Sequence, residues 1–183
     1  MPEPLINWLN AQQESMLSLM ADLVNIDSNS FDKAGVDKVA ARLRVFFDNH
    51  RIPYDTIPLT DHGDALRAVV SGGDGNKPIL LCGHRDTVFA TGEVEKRPFS
   101  TRGGKAFGPG VADMKPGLVI NAFILAAFHK FGGHPNPLIG LFTGDEEIGS
   151  PSSKDIIIAE AEKARLAFNS EPSRPSGNIV TQR

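Results

Sequence analysis

Residues 78–86 read Pro-Ile-Leu-Leu-Cys-Gly-His-Arg-Asp. Ile79 to Cys82 is a short, unbroken apolar run, as expected for a strand buried on both faces. It passes without a spacer into Gly83, His84, Arg85 and Asp86. The same grammar occurs twice more. Leu138 to Thr143 is apolar and runs into Gly144-Asp145-Glu146-Glu147, and the strand predicted over 164–169 runs into Ser170-Glu171. Between these strands lie two helical patterns, Leu118 to Phe131 and Ser152 to Ala164. Strands alternating with helices predict an α/β sheet with helices on both faces. In such sheets, ligands gather beyond the carboxyl ends of the strands. That is where His84, Asp86, Glu146, Glu147 and Glu171 fall, and Asp113 sits just before the helix that starts near Pro116.

Outward from this centre, Leu5, Ile6, Leu9, Met16, Leu17, Met20, Leu23 and Val24 predict an amphipathic helix over 4–24. Asp27-Ser28-Asn29-Ser30 ends it in turn chemistry. Val36, Val39, Ala40, Leu43, Phe46 and Phe47 form the stripe of a second helix. Leu66 to Val70 reads as a strand, and 89–110, rich in Gly, Pro and charge, as a long loop or hairpin.

One imidazole with several carboxylates is a ligand set for zinc or a similar divalent ion. His84, Asp113, Glu147 and Glu171 can supply it, and one carboxylate can bridge two ions. A paired site needs a further carboxylate, not a ligand, to take the proton of the attacking water and pass it to the leaving amine. Adjacent Glu146 and Glu147 can divide those roles. Asp86, two residues from His84 on an extended segment, can hold the other imidazole nitrogen. His50, His62, His129 and His134 lack acidic partners at suitable positions and read as ordinary histidines. Cys82 reads as core.

The composition narrows the classes. The chain has 183 residues, 40% hydrophobic and 22% charged, with a formal net charge of -3. Lys and Arg are scattered, so a nucleic-acid partner is not expected. No apolar stretch has the length of a membrane span. The start, MPEPLINWLNAQQ, lacks a signal-peptide pattern, and one cysteine cannot form an intrachain disulfide; the expectation is a cytoplasmic protein. Gly103-Gly104-Lys105 and Gly108-Pro109-Gly110 fit neither a P-loop nor a dinucleotide fingerprint.

Four segments together resemble the M20 metallopeptidases: Gly83-His84-Arg85-Asp86-Thr87-Val88, Gly108-Pro109-Gly110-Val111-Ala112-Asp113-Met114-Lys115, Thr143-Gly144-Asp145-Glu146-Glu147-Ile148-Gly149-Ser150 and Phe168-Asn169-Ser170-Glu171-Pro172. The Gly-Pro-Gly run and Glu171-Pro172 are most similar to the glutamate carboxypeptidase branch. The resemblance implies the N-terminal portion of a zinc-exopeptidase-like catalytic domain holding two divalent ions, zinc first and cobalt second. His84, Glu147 and Glu171 would be ligands, Asp113 the bridge, Glu146 the general base and Asp86 the group that orients His84. It also implies a cis peptide at Asp113–Met114. The implied reaction is amide hydrolysis in small N-acyl amino acids or peptides, glutamate-like ones above all.

Two residues depart from the family pattern. Arg85 stands where a smaller or apolar residue is usual, and Pro116 replaces a glycine, a change that suits a first helical turn. The family continues through a lid and dimerisation domain and a later segment with a last His ligand, so residues 1–183 are expected to lack both. The full-length form is expected to be a homodimer, and this portion to expose a sheet edge that invites self-association. The alternative function is a catalytically incompetent fragment that binds metal or a partner.

Overall fold

The computed structural model describes residues 3–73 and 75–173. Helices α1 (Glu3–Asn10), α2 (Gln13–Val24) and α3 (Lys33–His50) come first. The single helix expected over 4–24 is thus two, broken at Ala11-Gln12. Continuing the Leu5–Leu9 stripe requires an apolar residue near position 12 or 13, and both are Gln, so nothing anchors a straight helix there. After the break, α2 packs through its own apolar set on the later helix α5 (Lys115–Lys130). Asp32 caps α3, its Oδ1 accepting from the Gly35 N–H at 3.0 Å.

The main sheet has five strands in the order β1 (Tyr54–Ile57), β2 (Ala65–Val70), β6 (Leu138–Thr143), β3 (Ile79–His84), β7 (Leu166–Asn169). β1 and β2 are antiparallel to their neighbours, whereas β6, β3 and β7 run parallel. β1 escaped the sequence reading because Tyr-Asp-Thr-Ile is short and half polar, as an edge strand tolerates. The stretch 89–110 holds a short helix, α4 (Glu93–Lys96), and a hairpin of β4 (Ser100–Arg102) with β5 (Lys105–Phe107). The hairpin turns on Gly103 and Gly104, at φ 57° and 71°, which an L side chain adopts only with strain.

The sheet is covered on both faces, as expected. Leu66, Ala68, Val70, Leu81, Leu138 and Phe142 point to the face under α2, α3 and α5. Leu80, Ile139 and Leu141 point the other way, against Ile156 and Ile157 of α6 (Lys154–Lys163). Cys82, half-buried, packs on this second cluster. Each fully buried aliphatic side chain contributes roughly 1.5–3 kcal/mol, so the first, larger cluster carries most of the stability. Among the described residues no helix is long and apolar enough to cross a membrane.

Register decides where the chemistry emerges. His84 pairs with Thr143 across β3 and β6, and Cys82 with Asn169 across β3 and β7. Gly144–Glu147 therefore leaves the sheet beside Arg85 and Asp86, and Ser170-Glu171 beside Gly83 and His84.

Arg85 is fully buried. Its Nε donates to the Thr143 carbonyl at 3.2 Å, Nη1 to Val36 at 2.9 Å and Nη2 to Asp64. One guanidinium thus ties β3 to β6, to α3 and to the loop before β2, which is the local reason for an arginine here. Burial pulls its pKa down to about 10, against the attraction of Asp37, Asp86 and Asp64, so it stays charged at neutral pH. Arg85→Met removes three charge-assisted hydrogen bonds but also a buried charge. We expect a net loss of about 2–3 kcal/mol, read as a lower urea midpoint at unchanged slope. An unchanged midpoint would refute this role.

Candidate active site

His84 ends β3 with its ring buried. Its Nδ1 donates toward Asp86, 3.0 Å from the backbone carbonyl and 3.2 Å from Oδ1. That leaves Nε2 facing outward into a ring of carboxylates. Asp113 Oδ1 lies 3.1 Å away, Glu171 Oε1 3.6 Å and Glu146 Oε2 3.7 Å. Ligand atoms of His84, Asp113 and Glu147 lie within 4.8 Å of one another, as do those of His84, Glu146 and Glu171. The four separate segments named from the sequence therefore meet at one imidazole nitrogen.

Asp86 is completely buried and fully engaged. Besides His84 it accepts from Ser30 Oγ at 2.7 Å and from the backbone N–H groups of Glu146 and Glu147 at 3.2 and 3.1 Å. Burial disfavours its charge, but the His84 and Ser30 hydrogen bonds prevail and hold its carboxyl below the usual range. Asp86 thus orients the ring and also seats the 3-10 turn Glu146–Ile148 that carries both glutamates. Sequence reasoning missed Ser30. Its turn looks like no more than the end of a helix, yet Asn29 bridges to Thr87, and the Thr87 N–H donates to Ser28 at 2.8 Å. The run Asp27-Ser28-Asn29-Ser30 was the available signal.

The first acid of the Asp-Glu-Glu run has a different job. Asp145 is buried and accepts from the N–H groups of Ser152 and Ser153 at 2.7 and 3.0 Å, folding the chain from the site into α6. Asn121 of α5 donates to the Cys82 carbonyl at 2.9 Å and accepts from Ser170 Oγ at 2.7 Å, fixing the approach to Glu171. A Cβ at Gly117 would lie 2.2 Å from the Ser170 carbonyl, so α5 can start this close only with glycine there. The peptide Asp113–Met114 is cis, as the family resemblance implied, and Pro116 lies in the first turn of α5.

Electrostatically the site is short of positive charge. Among the described residues, His84 is the only cationic partner within salt-bridge distance of Asp113, Glu146 and Glu171. Burial opposes the His84 imidazolium, but the Asp86 hydrogen bond and the charges of Asp86, Glu171 and Glu146 outweigh it, raising its pKa to about 9. Glu147 and Glu171 shift up, through burial first and then their carboxylate neighbours, against the pull of His84. Half-buried carboxylates crowded on one imidazole are the donor chemistry of a divalent-cation site, and the residues fit that group. The other histidines lie elsewhere. His50 stacks on Phe46 at 4.3 Å, His62 Nδ1 meets Ser152 Oγ at 2.7 Å, and His134 Nδ1 accepts from the Asn136 N–H at 3.0 Å.

The chain is similar in sequence and in fold to known proteins. A carboxypeptidase G2 from a Pseudomonas strain is 31% identical over 166 residues, covering 88% of this chain and 40% of its own length. A succinyl-diaminopimelate desuccinylase from Leptothrix cholodnii is 35% identical over 180 residues, 90% of this chain and 46% of its own. The chain thus spans less than half the length of these relatives. In fold it is similar to human carnosine dipeptidase 1, with a TM-score of 0.79 at 14% identity, over 94% of this chain and 41% of that one. An M20 family metallo-carboxypeptidase from Sulfolobus solfataricus superposes with a TM-score of 0.73 at 19% identity, over 89% of this chain and 39% of that one. Residues 80–182 match the sequence profile described as Peptidase family M20/M25/M40, the stretch that contains His84, Asp113, Glu146, Glu147 and Glu171. The chain belongs to that family.

Proposed function

We propose that the protein acts as a two-metal-dependent amide hydrolase on small N-acyl amino acids or peptides with a glutamate-like amine portion. The observation that carries this is the convergence of Asp113, Glu146 and Glu171 on His84 Nε2, with a ligand atom of Glu147 within 4.8 Å of those of His84 and Asp113. His84, Asp113, Glu147 and Glu171 would hold two divalent ions, zinc or cobalt, and Asp113 would be the ligand shared by both. Bound ions supply an activated water and positive charge at the scissile carbonyl. This chain's own residues do the rest. Glu146 takes the proton of the attacking water and returns it to the leaving amine nitrogen as the C–N bond breaks. Asp86 holds the His84 tautomer through Nδ1. The similarity to carboxypeptidase G2 and to a desuccinylase supports amide cleavage, and the resemblance of the Gly-Pro-Gly run and Glu171-Pro172 to the glutamate carboxypeptidase branch supports a glutamate-like product. Residues 1–183 are, on this reading, the N-terminal part of the catalytic domain, and a lid, a dimer contact and a last ligand belong to the longer form.

The test measures release of free glutamate from N-acyl-glutamates by this chain and by a chain of its relatives' length. Zinc- or cobalt-dependent release, abolished by a chelator and restored by the metal, is expected. Metal-independent release, or none from either chain, overturns the proposal. Release by the longer chain alone would make residues 1–183 an incompetent metal-binding portion of the enzyme.

Metal uptake should also depend on pH. With its pKa near 9, metal-free His84 is protonated at neutral pH, and an imidazolium cannot ligate. Each uptake must expel that proton, so apparent affinity should fall by about tenfold per pH unit from pH 8 to 6. Calorimetry in buffers of different ionisation enthalpy would show the released proton. Uptake independent of pH would refute a protonated His84 in the metal-free protein.

A further inference from the structure

We propose that the cleft beside this site, walled by Val88, Phe89, Val111 and Ala112, is the subsite for the acyl portion of the substrate and selects uncharged, apolar acyl chains. The inference rests on the hydrolase reading above and deepens it. The cleft has a volume of about 380 Å³ and runs directly onto Asp113 and Glu147, which share its lining. That volume lies within the range of ligand-sized clefts, about 300–1,000 Å³.

Its walls decide the chemistry. Val88 is 64% exposed although apolar, and Val111 and Phe89 are half-buried, so apolar surface stands open to solvent at the mouth of a polar site. Phe89 is held in place, its carbonyl accepting from Asn29 Nδ2 at 3.1 Å, with the Arg97 guanidinium 5.1 Å from its ring centre. That guanidinium is paired with Glu93 at 2.7 Å. The only ionisable side chains lining the cleft, among the described residues, are Asp113 and Glu147, both acids. Ions bound to those two would neutralise them, and the apolar wall then distinguishes one acyl chain from another. A carboxylate pushed against that wall loses its water without gaining a partner, whereas an alkyl chain gains by burial. Glu146, which on the proposed reading returns the proton to the leaving amine, is not among the lining residues, so the amine portion is assigned to the side away from this cleft.

The experiment compares N-hexanoyl-glutamate with N-succinyl-glutamate, which differ at the far end of the acyl chain, on the zinc-loaded protein. Binding is read from amide NMR shifts, and turnover from glutamate release. Hexanoyl-glutamate should bind about tenfold more tightly, with its largest shifts at Val88, Val111 and Ala112. Val88→Lys, at an exposed position, should reverse the preference by giving the succinyl carboxylate a partner, and Val88→Asp should weaken succinyl binding further. Equal affinities, shifts confined elsewhere, binding of neither ligand or an unchanged ratio in Val88→Lys would each overturn the subsite. Turnover without acyl preference would leave the hydrolase reading intact and remove this one. Selective binding in the cleft without turnover, by this chain or a longer one, would do the reverse.

Discussion

Glu146→Gln should lower glutamate release by about 10²–10⁴-fold, the range for loss of a general base, while zinc uptake stays close to that of the unsubstituted protein. Glutamine keeps the shape and the backbone N–H that donates to Asp86, so the turn carrying Glu147 should stay seated. What it loses is the ability to take a proton. The side chain lies 3.7 Å from His84 Nε2 and is about half exposed, which on the proposed reading puts it within reach of both the metal ligands and solvent. The two acids on this turn have competing assignments, because Glu146 also lies in a candidate ligand group with His84 and Glu171. Calorimetry beside the activity assay separates them. Lost turnover with retained metal makes Glu146 the base. Lost metal makes Glu146 a ligand and leaves Glu147 as the candidate base. Unchanged turnover would sink the proposed mechanism.

The second large effect is on the metal itself. Asp113→Ala should weaken zinc or cobalt binding by more than about a hundredfold, beyond the 10–100-fold typical of losing a group that only supports a ligand. Asp113 makes the shortest carboxylate approach to His84 Nε2 and neighbours both Glu147 and Glu171. On the proposed reading, its removal would take away the carboxylate shared between two ions. The folded state should not suffer, because the carboxylate is about half exposed and its charge sits among like charges. Direct metal titration with a parallel thermal melt checks both parts. Affinity within tenfold of the original protein would refute the bridging role.

Several elements were legible from one stretch of chain at a time. Ile79–Cys82 and Leu138–Thr143 are apolar on both sides because both faces of a parallel strand are covered, and they are β3 and β6. The apolar composition of α5 likewise marked it as a buried helix. Other features depend on contacts between distant segments. The break between α1 and α2 turns on Gln12 and Gln13 interrupting a stripe whose partner is α5. β1 is a strand only because β2 supplies its hydrogen bonds. Arg85 looked out of place until Val36, Asp64 and Thr143 came round it.

The site divides along the same line. By itself the sequence determined which side chains stand at or just past the strand ends: His84 and Asp86, Glu146 and Glu147, and Glu171. The end of a strand and the residues next to it are properties of consecutive positions. Only the tertiary structure decided that these ends lie side by side, through the parallel registers His84 with Thr143 and Cys82 with Asn169. It alone made Asp86 a hub for Ser30, His84 and the glutamate turn, and opened an apolar cleft next to Asp113. The physical reason is range. Periodicity and strand ends are written over a few residues. The buried Asp86 carboxylate finds its donors on Ser30 and Glu146 across 56 and 60 positions of chain, and only the packed sheet brings those positions together.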